Sequence, residues 1–156
     1  MKHVNVKVSR ACINPPGKDD RSDYNAEWVE LTVHEDVDLS GYELQHLINP
    51  HTKRQAWEPY FRFPAGDRFA KGSKVRVHSG HPPTSTPSEA DRHHRYVCQP
   101  GEQGQWRLNN DGDSVKLLAG DGTKVDETAF SGNEGYCDKG GQGDDQPKQH
   151  PKTQYA

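Results

Sequence analysis

NPPGKDDRSDYNAEWVEL, Asn14 to Leu31, holds two opposite instructions. Pro15, Pro16 and Gly17 lead into Lys18-Asp19-Asp20-Arg21, a run that cannot propagate a helix or a central strand and reads as a polar loop. From Glu27 the composition reverses. Trp28-Val29-Glu30-Leu31-Thr32-Val33 is aromatic and β-branched, with Val29, Leu31 and Val33 on one face of an extended chain. The stretch is loop and then strand. Its acidic half is either a metal or catalytic loop or only the connection between two strands.

The same alternation recurs outward from it, and helix periodicity does not. Val4, Val6 and Val8 alternate with polar residues, and the strand continues through Ala11 to Ile13. In VDLSGYELQHLI, Leu39, a Ser-Gly turn, Tyr42 and Leu44 precede a further inward residue at His46 or Leu47. YFRF ends in the turn residues Pro64-Ala65-Gly66-Asp67; Phe69 and a turn at Lys71-Gly72-Ser73 then lead into KVRVHSG. HRYVC and QWRL are shorter strand candidates, and DSVKLLAGDGTKVDETAF is a hairpin about Gly120-Asp121-Gly122. This predicts about seven to nine short strands with turns about every 8 to 14 residues, an all-β sandwich or small barrel. After Ser131 the chain turns Gly-, Gln-, Asp- and Pro-rich, so residues 1–131 are expected to form the domain and 132–156 a disordered tail.

Bulk properties set limits. With 156 residues and only 29% hydrophobic, the chain fits one domain whose core is concentrated in short segments. A net charge of −3 argues against a dedicated nucleic-acid binder. No apolar run is long enough to span a membrane, and no apolar segment follows Met1 as a signal peptide would require, which reads as cytoplasmic if Met1 is the native start. Cys12, Cys98 and Cys137 lack CxxC spacing, which excludes a zinc ribbon. Their number permits one disulfide and one thiol, a Cys98–Cys137 pair among the choices, or three thiols.

Four blocks in order, NPPGKD…NAEWVEL, VDLSGYEL, FRFPAGDRFAKGSKVRVHSG and WRLNNDGDSVKLLAGDGTKVDETAF, resemble a lamin tail domain of the bacterial type from about Ile13 to Phe130. The resemblance implies an immunoglobulin-like β-sandwich and a role in protein or nucleic-acid interaction; the bacterial relatives are often fused to hydrolases or nucleases. Tyr42 stands where the family commonly has tryptophan, which keeps a large aromatic. No heptad rod is present for filament assembly of the nuclear-lamin kind.

Candidate sites are weighed against plainer roles. Asp19, Asp20, Asp23 and Asn25 offer hard oxygen donors for calcium, with Asp111 and Asp113 as a second cluster, but neither follows the EF-hand pattern and both suit solvated turns. His78, His81, His93, His94 and Cys98 contain zinc-ligand types, yet adjacent His93 and His94 face opposite ways in a strand. Ser79 beside His78 and Cys98 near His94 are the nearest nucleophile–base pairs, and Glu27 and Glu30 are the nearest acid pair, on offset faces; none lies in a catalytic motif. No catalytic, cofactor or metal residue is therefore assigned.

Charge is segregated. Asp19 to Asp38 carries eight acids against Arg21 alone; Lys53, Arg54, Arg62, Arg68, Lys71, Lys74 and Arg76 stand against Glu58 and Asp67. That basic strip, interleaved with Trp57, Tyr60 and Phe61, is the candidate interaction surface, against the plainer reading of outward strand residues that keep sheet edges soluble. The expectation is a non-catalytic binding or adaptor module for a protein partner, with nucleic-acid association through residues 53–76 and a small hydrolase as alternatives.

Overall fold

The computed structural model describes residues 5–13, 24–48, 55–82, 92–99, 102, 106–108 and 112–131, and the structural statements below concern these. They form an all-β fold with one 3-10 turn, Tyr24–Ala26. The strands are β1 (Val6–Cys12), β2 (Trp28–Val33), β3 (Val37–Asp38), β4 (Glu43–Ile48), β5 (Ala56–Arg62), β6 (Arg68–Phe69), β7 (Lys74–His78), β8 (Arg92–Tyr96), β9 (Gly112–Leu118) and β10 (Lys124–Ser131). One sheet runs β1-β2-β7-β8, the other β10-β9-β4-β5, and β3-β6 is a two-stranded ribbon. No helix among the described residues is long and apolar enough to cross a membrane.

Ten strands exceed the expected seven to nine because β3 and β6 are only two residues long, too short for alternation to register in sequence. QWRL, expected as a strand, is not one: Trp106–Leu108 is irregular. HRYVC is strand only through Tyr96.

The core follows from the alternation. Val29, Leu31 and Val33 of β2 and Val75 and Val77 of β7 meet Leu44 of β4 and Val115 and Leu117 of β9 in one buried cluster. In β1 a bulge falls between Val8 and Arg10. Strict alternation would send Val6, Val8, Arg10 and Cys12 to the same side. The extra residue reverses the phase after Val8, so Ala11 and Ile13 join the core and Arg10 and Cys12 turn outward.

Two features seat the loops. Gly72 (φ 92°) makes the turn before β7 and Gly122 (φ 88°) the hairpin turn before β10, conformations that a Cβ disfavours. Phe69 is buried, 6.3 Å from Phe63 and 5.1 Å from the His93 ring, and anchors the ribbon between them. The edges of the two sheets meet along β1 and β10: the Val8 amide donates to Asp126 Oδ2 at 2.8 Å, and Thr128 Oγ1 donates to the Val8 carbonyl at 2.8 Å. Side chains of one sheet thus satisfy backbone groups at the edge of the other.

β7 and β8 pair in parallel, with Lys74 opposite Arg92 and His78 opposite Tyr96. All other strand pairs are antiparallel. A parallel neighbour needs a crossover rather than a tight turn.

Candidate interaction surface and buried polar clusters

The basic strip is divided by the fold. Arg62 lies on β5 of the second sheet, Arg68 on the ribbon, and Lys74 and Arg76 on β7 of the first sheet. Arg62 is 66% exposed and bonds Glu43 at 3.1 Å; Arg68 is 79% exposed and stands 3.5 Å from Asp38. Lys71 is exposed on the turn and Lys74 half-buried. Arg76 leaves the surface altogether. Its guanidinium pairs with the buried Glu30 at 3.0 Å and stacks 3.7 Å from the Trp28 ring centre. Lys53 and Arg54 fall outside the described residues.

Glu30 also receives Arg10, at 2.9 Å. The pairing follows from register, since Arg10 and Arg76 lie opposite Glu30 on the two flanking strands. A carboxylate taken out of water is held by two charge-assisted partners, with Trp28 offering its ring face to both cations.

At one end of the sandwich a second polar cluster links the sheets. Glu27 is fully buried, and its Oε1 accepts from Ser79 Oγ at 2.6 Å and from the Arg107 amide at 2.8 Å. Its Oε2 accepts from the Leu108 amide at 3.1 Å. Ser79 Oγ also meets Tyr60 Oη at 2.8 Å, and Tyr60 reaches the Val77 carbonyl. Burial, then the Glu27 charge, pushes the Tyr60 phenol well above its ordinary range, so it stays a protonated donor. Glu27 therefore clasps segment 106–108 to the ends of β2 and β7. Ser79 spends its proton on that carboxylate and has no surface exposure, which is the arrangement of a tether rather than of a nucleophile presented to substrate.

His46 continues this polar end. It faces inward two residues after Leu44, 2.9 Å from Glu58 Oε1 and 3.6 Å from Asp113 Oδ2. Burial favours its neutral form, but Asp113 and then Glu58 outweigh that and raise its pKa above the usual histidine value. Spacing alone did not join these residues. The available signal was His46 in the inward phase of ELQHLI; its partners come from two other strands.

The remaining histidines are distributed. His93 turns inward against Phe69, and His94 turns to the other face of β8. His78 Nδ1 meets the Asn25 carbonyl at 2.8 Å, and a carbonyl only accepts, so that nitrogen carries the proton. In the neutral pair His78 Nε2 is then the acceptor for His94 Nδ1–H, at 2.9 Å. His81 Nε2 donates to the Glu102 carbonyl, and Cys98 is a buried thiol whose Sγ donates to the Ser79 carbonyl at 3.4 Å. Among the described residues no three His, Cys, Asp or Glu side chains converge as a metal site. The calcium candidates Asp19, Asp20, Asp23 and Asp111 lie outside the described residues, and Asp113 is buried beside His46.

The family model of the Lamin Tail Domain matches residues 1–132. No curated protein matches the chain.

Proposed function

For this chain, which belongs to the lamin tail domain family, we propose a non-catalytic adaptor role in which the immunoglobulin-like sandwich engages a protein partner. One observation carries the reading. Among the described residues, the two most exposed arginines of the basic strip, Arg62 and Arg68, are each matched by a carboxylate on the strand beside them. A phosphate backbone needs unmatched positive charge to release counterions on binding. A surface of alternating sign suits the polar rim of a protein interface, where charge complementarity sets register and partner choice. The open groove over the ribbon has the same character, with Val37 and Phe69 flanked by Asp36, Asp38 and Arg68.

The test is capture of a partner by the immobilised full chain from nuclease-treated extract of the source cells, compared with an Arg62→Glu/Arg68→Glu variant. Expected is a discrete protein retained by the wild type and lost with the variant. A mobility shift of DNA or RNA at low salt that weakens steeply as salt rises would replace this reading with the nucleic-acid one.

A further inference from the structure

Among the described residues β5 is the end strand of the second sheet, and its two halves are held differently. The register against β4 slips between the pairs Leu44–Phe61 and Gln45–Pro59, which leaves Tyr60 as the bulged residue. Beyond the bulge the strand is anchored across the core. Tyr60 Oη meets Ser79 Oγ and donates to the Val77 carbonyl, and Arg62 bonds Glu43. Pro59, next to the bulge, has no amide to give to a ladder. The half before it, Ala56 to Glu58, lies opposite Ile48, Leu47 and His46. Side chains tie that half down at two points. Lys116 Nζ sits 4.2 Å from the Trp57 ring centre, and Glu58 Oε1 meets His46 Nε2 at 2.9 Å.

The second tie depends on a proton. His46 is buried with a carboxylate facing each ring nitrogen: Glu58 at Nε2, and Asp113 Oδ2 at 3.6 Å from Nδ1. Carboxylates only accept, so a neutral ring, with its single N–H, must turn a lone pair toward one of them. The imidazolium offers an N–H to both. When the proton leaves, the two acids compete for one donor unequally. Glu58 is 48% exposed and water can solvate it, whereas the Asp113 side chain has no exposure. The remaining N–H therefore goes to Asp113, and Glu58 turns to water.

We propose that a proton on His46 latches the Ala56–Glu58 half of β5 to β4, so that rising pH releases this end of the edge strand while the half beyond Pro59 stays docked. The titratable groups facing His46 among the described residues are Glu58 and Tyr60 from β5 and Asp113 from β9. Tyr60 stays a neutral phenol throughout, since burial holds it well above its ordinary range. Burial alone would lower the pKa of His46, but Asp113 and then Glu58 raise it above the ordinary 6.5. The latch is thus complete below 6.5 and is lost as pH rises through the folded value. Release uncovers the β5 side of β4, so the sheet edge that a partner meets differs on the two sides of the switch.

Amide hydrogen exchange of the full chain from pH 6 to 9, corrected for the intrinsic rate at each pH, tests the latch. Protection of the Ala56–Glu58 amides should fall severalfold across that range, while Phe61, Arg62 and the β2 and β9 amides hold. His46→Gln should show the low protection at every pH, and Glu58→Gln should flatten the response. Wild-type protection of Ala56–Glu58 that is unchanged with pH overturns the proposal, whether or not the variants fold. An equal fall in β2 and β9 also overturns it, since the whole domain would then be loosening. A pH response that survives in His46→Gln assigns the proton elsewhere and overturns it too.

Discussion

Replacing Glu27 with alanine deletes the acceptor that holds segment 106–108 to the ends of β2 and β7. Three donors lose it: the Ser79 hydroxyl and the amides of Arg107 and Leu108. Ser79 keeps Tyr60 as a neighbour, so the loss falls mainly on the two amides. A donor left without its acceptor in the interior costs about 1–3 kcal/mol, which gives roughly 2–6 kcal/mol for the pair. A domain of about 130 residues unfolds with an entropy near 0.27 kcal/mol/K, so Tm should fall by roughly 7–22 °C. Glu27→Gln keeps one acceptor oxygen but sets an amide donor against another donor, and should fall between wild type and alanine. Thermal unfolding followed by circular dichroism reads the shift, with urea denaturation as a check. The control is Glu127→Ala, which removes an exposed pair with Lys124 worth at most about 1 kcal/mol. A Glu27→Ala protein melting within a few degrees of that control would refute the clasp.

Three further outcomes follow from other clusters. His46 has its pKa raised above 6.5, so its stabilising share is full below that pH and is lost as pH rises through the folded value. Denaturation of wild type and His46→Gln from pH 5.5 to 9 should show the wild-type advantage shrinking with pH; a constant difference refutes the assignment. Arg76→Met leaves Glu30 with Arg10 as its remaining described ion-pair partner and should cost about 3–5 kcal/mol, while Arg10→Met/Glu30→Leu/Arg76→Met should recover most of it. Chemical denaturation decides, and a triple variant weaker than the single one sinks the argument. Gly80→Ala places a Cβ 2.5 Å from Asn25 Oδ1, the acceptor for the Gly80 amide. It should destabilise by about 1–3 kcal/mol, measured the same way, and a neutral result would show that Asn25 moves freely.

Fold class was legible because it rests on local regularities. Alternation along Val29-Leu31-Val33 and Val75-Val77, and the glycines before β7 and β10, are properties of neighbouring residues. Val115 and Leu117 likewise announce β9, and NPPGKDDRSDYNAEWVEL announces a strand beginning at Trp28. The ordered blocks then identified the family, which the match over residues 1–132 shows.

What surrounds each polar side chain was set by pairing between distant strands. Arg76 and Lys74 look alike in a basic strip. Register sets Arg76 against Glu30, where it is buried, and Lys74 against Thr32, where it is half-exposed. His46 meets Asp113 only because β4 lies beside β9, and Glu27 reaches the 106–108 amides only across the end of the sandwich. The bulge in β1 had the widest effect. One extra residue turned Cys12 and Arg10 out of the core and onto the face of Trp28. The sequence by itself determined which segments extend and which turn, because backbone preference and alternation act over a few residues. Tertiary structure alone decided which charges are spent in the interior, because register and burial depend on residues far apart in the chain.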